Sequence, residues 1–358
     1  MSAPDPELSE RLANLTLELC KIPSVTGEEA AISADIEARL LAIPELEVSR
    51  LGPTVMAQTG GEGPLIVLYG HTDTVAPKAQ DPEPHRDGDQ LFGLGASDMK
   101  AGLAVMLLLA EKWSSKPRRC RLGLVFYDAE EGPWFESGLG PALAGTPWLH
   151  DAVLSICLEP SDNVVQVGCV GSLHATVTFR GQAAHSARPW QGRNAIQAAG
   201  PMLSRLAARA PTEVEAGGFV FREVMSATLA HGGIGRNVIP DSFELNLNYR
   251  FAPGRELDDA QAVVRELVAD EADVRFTDLA PSGRVVTDNS ELSRLLDSSG
   301  AALAPKQAWT DVARLSAAGL DGVNFGPGLA AQAHQAREYA SLARVVEGYL
   351  MLDRYFSP

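Results

Sequence analysis

Pro64-Leu-Ile-Val-Leu-Tyr-Gly-His71-Thr-Asp73 decides the fold class. A continuous apolar run, rather than an alternating one, marks a strand buried on both faces. Three further runs read the same way: Arg121-Leu-Gly-Leu-Val-Phe-Tyr-Asp128, Ala152-Val-Leu-Ser-Ile-Cys-Leu158 and the shorter Gly322-Val-Asn-Phe325. Between the first two, Lys100 to Trp113 has the length and composition of a buried helix. Strands separated by helices predict an α/β domain, a mostly parallel sheet with helices on both faces.

The middle of the chain has a different period. Ser172-Leu-His-Ala-Thr-Val-Thr-Phe-Arg180 and Ser242-Phe-Glu-Leu-Asn-Leu-Asn-Tyr-Arg250 alternate apolar and polar residues. The inward set would be Leu173, Ala175, Val177 and Phe179 with Phe243, Leu245, Leu247 and Tyr249. Alternation with period two belongs to a sheet with one face in water. Helices are expected over residues 195–210, with a break at Pro201, and over 257–269. The expected organisation is a discontinuous domain (1–171 and 281–358) interrupted by a smaller α+β domain at 172–280.

Composition narrows the function. Thirty Lys and Arg against 46 Asp and Glu give a formal net charge of −16. Nucleic acid and anionic membrane both need a basic face, so neither is an expected partner. A small anionic substrate stays open, because a local arginine can override the overall field. The longest apolar run, Ala101 to Ala110, is about half a bilayer span, and the first ten residues hold neither a basic nor an apolar segment. Cys20, Cys120, Cys157 and Cys169 form no CxxC pair. A reducing cytoplasm is therefore expected, with Cys157 as core.

The strand ends carry the chemistry. The first strand runs into His71-Thr-Asp73, the second into Asp128-Ala-Glu130-Glu131, the third into Glu159-Pro; Asp98 stands just before the buried helix. In open α/β sheets ligands bind beyond the carboxyl ends of the strands. Taken singly, each residue has an ordinary reading: Asp98 as a helix N-cap, Asp73 as an Asx turn, Glu130 and Glu131 as a solvated loop, His71 as a hydrogen-bonded strand end. Together, carboxylates converging on one edge repel unless cations or protons neutralise them. Mixed imidazole and carboxylate donors suit a divalent metal site.

His71-Thr-Asp73-Thr-Val, Gly95-Ala-Ser-Asp98-Met-Lys, Glu130-Glu131-Gly, Glu159-Pro, Gly326-Pro-Gly and Ala333-His334 resemble, in this order, the dinuclear zinc deacylase and carboxypeptidase family. The resemblance covers essentially the whole chain and implies a zinc-exopeptidase-like fold with an inserted lid and dimerisation domain. It implies two Zn2+ ions, with Co2+ as the alternative in one or both sites. Asp98 would bridge them; His71 and Glu159 would complete one ligand set, Glu131 and His334 the other. Asp73 would hold the His71 ring, and Glu130 would be the general base. His185, in Gly181-Gln-Ala-Ala-His185-Ser, matches the family's oxyanion donor, which in dimeric relatives reaches the neighbouring subunit's site; a homodimer is implied. Substrate contacts are implied at Asn237, Arg250, Thr310 and Gly326.

The segments Ala184-His-Ser-Ala-Arg-Pro-Trp190, Asn246-Leu-Asn-Tyr-Arg-Phe251 and Trp309-Thr-Asp-Val-Ala-Arg314 are most similar to the family's actinobacterial-type desuccinylase branch. That branch implies removal of succinate from N-succinyl-L,L-diaminopimelate. An acetylornithine- or acetylcitrulline-type deacylase or a small dipeptidase is the alternative. Two departures bear on the acyl group: Cys169-Val170-Gly171 stands where proteobacterial members carry arginines, and no Asp follows Gly326-Pro-Gly328 closely.

Overall fold

The computed structural model describes residues 5–358 and divides into two compact units. Residues 1–4 of the expected first domain lie outside the described residues. One unit takes in the chain up to Gly168 with Val286–Ala304 and Thr310–Pro358; the other comprises Cys169–Val285 and Pro305–Trp309.

The four predicted buried strands form the centre of the first unit's sheet. Leu65–His71 lies parallel between Arg121–Tyr127 and Ala152–Cys157, and Gly322–Asn324 is parallel to the latter. Every residue of Leu65–His71 is buried, which is why its sequence does not alternate. The strands flanking these four run antiparallel to them. Thr54–Thr59 runs antiparallel to Arg121–Tyr127 and pairs with Leu46–Leu51 through a two-residue turn. On the other side Val165–Val167 is antiparallel to Gly322–Asn324. The result is a mixed sheet with a parallel heart.

Helix Ala101–Trp113 begins one residue later than expected and is buried along nearly its whole length. It packs on Leu65–His71 and Arg121–Tyr127. Gly70 permits this approach, since a Cβ there would lie 2.5 Å from Leu103 Cδ2. Parallel register sets the functional edge: His71 pairs with Tyr127, while Cys157 pairs with Tyr69 and Asn324. The chain therefore leaves these strands on one side, carrying residues 72–73, 128–131, 158–159 and 325–326.

The second unit contains a five-stranded antiparallel sheet in the order Thr212–Ala216, Phe219–Gly232, Ser242–Phe251, Gly171–Arg180, Asp273–Ala280. Leu173 opposes Tyr249, Ala175 opposes Leu247, Val177 opposes Leu245 and Phe179 opposes Phe243, so both inward sets meet on one face. That face packs against Ala195, Ala199, Met202, Ala260 and Val264, the buried sides of its helices. Burying each large apolar side chain contributes roughly 1.5–3 kcal/mol. The helix expected over 195–210 is indeed broken: Ala195–Ala198 and Gly200–Ala208 are separate, with Pro201 in the first turn of the second.

All four cysteines are buried and none is in a disulfide, and Cys157 lies in the core. Among the described residues no helix is long and apolar enough to cross a membrane.

Candidate metal centre

His71 sits at the end of its strand with its side chain 1% exposed. Its Nδ1 lies 3.1 Å from the Asp73 carbonyl and 3.4 Å from Asp73 Oδ1, so that edge of the ring is fixed. Nε2 points the other way, 3.1 Å from Asp98 Oδ1 and 4.0 Å from Glu159 Oε1. On the far side of Asp98, Oδ2 lies 3.7 Å from His334 Nε2, which is itself 2.8 Å from Glu131 Oε1. Asp98 thus presents one oxygen to each imidazole.

The turn that carries Asp98 is not a helix start. Helix Ala101–Trp113 has no side-chain cap, and Asp98 has φ −122° and ψ 88° in an irregular turn spanning Ala96–Lys100. The N-cap reading of Asp98 is therefore wrong. The solvated-loop reading of Glu131 fails too, because its side chain is only 9% exposed. Asp73 does more than form a turn. Its Oδ1 accepts the backbone N–H of Glu130 at 3.0 Å; its Oδ2 accepts that of Glu131 at 3.0 Å and the Thr26 hydroxyl at 2.9 Å. One carboxylate therefore orients both an imidazole and the pair of glutamates beyond the neighbouring strand.

Two donor groups, His71–Asp98–Glu159 and Asp98–Glu131–His334, each have their ligand atoms within 4.8 Å of one another, and His71–Glu130–Glu131 meets the same limit. Bonds of about 2.0–2.2 Å at tetrahedral angles would separate ligand atoms by about 3.3–3.6 Å. The observed 3.1 and 4.0 Å in one group, and 2.8 and 3.7 Å in the other, scatter around that spacing. The donor set fits a pair of divalent ions sharing Asp98.

The electrostatics agree. Burial, then the charge of Glu159, pushes the Glu130 carboxyl well above the ordinary carboxylate range, while His71 opposes the rise. Burial alone would lower the His71 pKa; hydrogen bonds to Asp73 and Asp98 and the charge of Glu130 raise it well above its ordinary value. Asp73 goes the other way: burial would raise it, but His71 and the two backbone N–H groups hold it low. Such crowding of acid calls for a cation.

Gly326 follows the Gly322–Asn324 strand, where a Cβ would lie 2.2 Å from the Leu158 carbonyl oxygen and 2.6 Å from that of Glu159. Only glycine lets that segment pass under the Glu159 strand end. Thr310 is buried and precedes Asp311, whose Oδ1 accepts from Arg314 Nε at 2.8 Å. In the second unit, His185 is exposed on a two-residue strand paired with Val238–Ile239, and Ser186 N–H donates to the Asn237 carbonyl. His185 and Asn237 are therefore neighbours. Arg250 pairs with Val224 at the end of the register between Ser242–Phe251 and Phe219–Gly232, and its Nε donates to Asn248 Oδ1 at 3.0 Å.

Sequence reading missed the residues that shape these loops. Glu29 is buried, accepting the N–H of Gly27 at 2.7 Å and of Ala129 at 3.3 Å; Ala129 has φ +56° just before Glu130. Glu338, also buried, accepts N–H groups from Gly95, Ser97 and Asp98. The His334-x-x-x-Glu338 spacing was its one visible signal. Glu29 had none.

The donor set defines a candidate divalent-metal centre, and family and relatives make the chain a metal-dependent amide hydrolase. The chain belongs to Peptidase family M20/M25/M40, whose family model matches residues 67–357. Within that family it is 38% identical over 345 residues to a putative succinyl-diaminopimelate desuccinylase of Mycobacterium tuberculosis, covering 95% of this chain and 96% of that protein. It is 36% identical over 352 residues to the succinyl-diaminopimelate desuccinylase of Corynebacterium glutamicum, covering 96% and 95%. A tripeptidase from Staphylococcus aureus shares the fold, with a TM-score of 0.79, 21% identity and 97% of each chain covered.

Proposed function

We propose that this protein hydrolyses the amide of N-succinyl-L,L-diaminopimelate, releasing succinate, with two zinc ions. The near-complete overlap with two desuccinylases at 36–38% identity carries this reading. Two ions held by His71, Asp98, Glu159, Glu131 and His334 would supply Lewis acidity to the scissile carbonyl and to the attacking water.

Glu130 takes the proton from that water and returns it to the leaving amine. A carboxylate whose proton affinity is raised by burial suits both halves of the task. Asp73 fixes the backbone of Glu130 so that the carboxylate need not search for its position. For His185 the resemblance supports the role of oxyanion donor; its Nδ1 accepts the Ala187 N–H at 3.0 Å, which leaves Nε2 as the ring nitrogen able to donate. Arg250, its Nε engaged by Asn248, offers its Nη edge to a substrate carboxylate. For Asn237, Thr310 and Gly326 the family resemblance supports contact with the substrate.

The partner in solution is a second copy. Thr212–Ala216 covers the outer edge of Phe219–Gly232 only as far as Glu223. Beyond it, Val224 and Leu229 are exposed on that strand, and an uncovered apolar strand edge is a template for another strand. Four buried cysteines, none in a disulfide, suit a cytoplasmic location.

The deciding test is the hydrolysis rate of N-succinyl-L,L-diaminopimelate beside N-acetylornithine, with zinc-loaded and chelator-stripped protein. Fast, zinc-dependent cleavage of the succinyl compound is expected. Zinc-dependent cleavage of the acetyl compound alone would replace the substrate and leave the hydrolase.

A further inference from the structure

The two imidazoles of the centre are held very differently. His71 stands at the end of a buried strand, whereas the His334 side chain is 53% exposed on a loop. That loop is awkward for its sequence. His334 and Arg337 both have φ +59°, in the left-handed region that side chains other than glycine avoid. Something outside the loop must hold it there.

The segment just after Asp73 does so. Lys78 Nζ donates to the His334 carbonyl at 2.5 Å. Asp81 Oδ1 accepts the Arg337 N–H at 2.9 Å. Each left-handed residue thus receives one hydrogen bond from the 78–81 turn. The turn is itself closed: the Lys78 N–H donates to Asp81 Oδ2 at 2.6 Å, and the Asp81 N–H donates to the Lys78 carbonyl at 3.0 Å.

We propose that Lys78 and Asp81 are positioning residues for His334, a clamp that preorganises the second ligand group and leaves the first untouched. This rests on the two-ion reading above. Without the clamp, the loop would have to be ordered when the ion binds, and that cost falls on the Asp98–Glu131–His334 group alone. The sign separates a clamp from a charge. Removing a nearby ammonium should strengthen cation binding if Lys78 acts only through its field, and weaken it if Lys78 acts through the His334 carbonyl.

Chelator-stripped full-length protein is titrated with Zn2+ by calorimetry, with a chromophoric chelator as competitor, for wild type, K78A, K78R and D81A. Wild type should take up two equivalents. In K78A and D81A one equivalent should bind as in wild type and the other about tenfold more weakly, about 1.4 kcal/mol. K78R should recover part of the loss, because it restores a donor. Lys78 is exposed, so K78A leaves the core alone; thermal unfolding of each variant checks this, with K78M as a second variant that keeps the stem. Equal weakening of both equivalents, no change in either, or tighter binding in K78A would overturn the clamp. A wild-type protein taking up one equivalent would sink the two-ion reading and the clamp with it.

Discussion

Asp98 donates its backbone N–H to Glu338 Oε1 at 2.9 Å, across 240 residues of sequence. The same carboxylate accepts Ser97 N–H at 2.7 Å on Oε1 and Gly95 N–H at 2.9 Å on Oε2. A single buried glutamate therefore folds the turn that aims Asp98 between His71 and His334. Burial and the charge of Asp98 push the Glu338 carboxyl up to about 7, against the pull of those three N–H groups.

Glu338→Gln should damage the centre without touching any metal donor. The amide fills the same space but turns one acceptor oxygen into a donor aimed at an N–H. Leaving a buried polar group mismatched costs about 1–3 kcal/mol. A lower unfolding midpoint and reduced metal content are expected; wild-type values for both would show that the turn holds itself.

Glu130→Gln and Asp98→Ala should fail in opposite ways. The first keeps every donor of the two ligand groups that share Asp98 but removes the base, so metal content stays and turnover falls roughly 100- to 10,000-fold. The second removes the one residue common to both groups, so elemental analysis should find both ions lost. Near-normal turnover in the glutamine variant would refute Glu130 as base, and full occupancy in the alanine variant would refute Asp98 as the bridge.

Metal affinity should rise with pH, and binding should release protons. Burial would lower the His71 pKa, but its bonds to Asp73 and Asp98 lift it well above 6.5. A proton held that firmly competes with the metal. The apparent Kd should therefore weaken steadily as the buffer is made acidic. Calorimetry in two buffers of different ionisation heat counts the protons; a count of zero would contradict the argument.

A second acid effect belongs to the smaller unit. Glu223 is buried and accepts Tyr249 OH at 2.8 Å, Ala252 N–H at 3.0 Å, and Arg255 Nε and Nη2 at 2.8 and 2.9 Å. Burial would raise its pKa, yet these bonds bring it below the ordinary 4.5. A depressed carboxylate contributes stability above its unfolded pKa and loses it as pH falls through the folded one. Glu223→Gln should cost about 2–3 kcal/mol near neutrality. The gap from wild type should close below 4.5; a gap of constant size down to strong acid would exclude the ionised role.

The sequence by itself determined the parallel heart of the sheet, the buried helix and the alternating strands of the second unit, because burial on two faces or on one writes directly into residue order. It also pointed to His71, Asp73, Asp98, Glu130, Glu131 and Glu159, since strand ends and the residues just ahead of a buried helix are local features. Other local structure was not legible, among it the hairpin at 46–59 and strand Phe219–Gly232, whose last seven residues are all exposed and carry no period. Only the tertiary structure decided how the donors are held. Glu29 reaches Ala129 across 100 residues, Lys78 reaches His334 across 256, and Glu338 reaches Asp98 across 240. Each of these bonds meets a backbone group, which has no side chain to advertise it, so no pattern of residue types could announce which amides and carbonyls the fold would bring within reach.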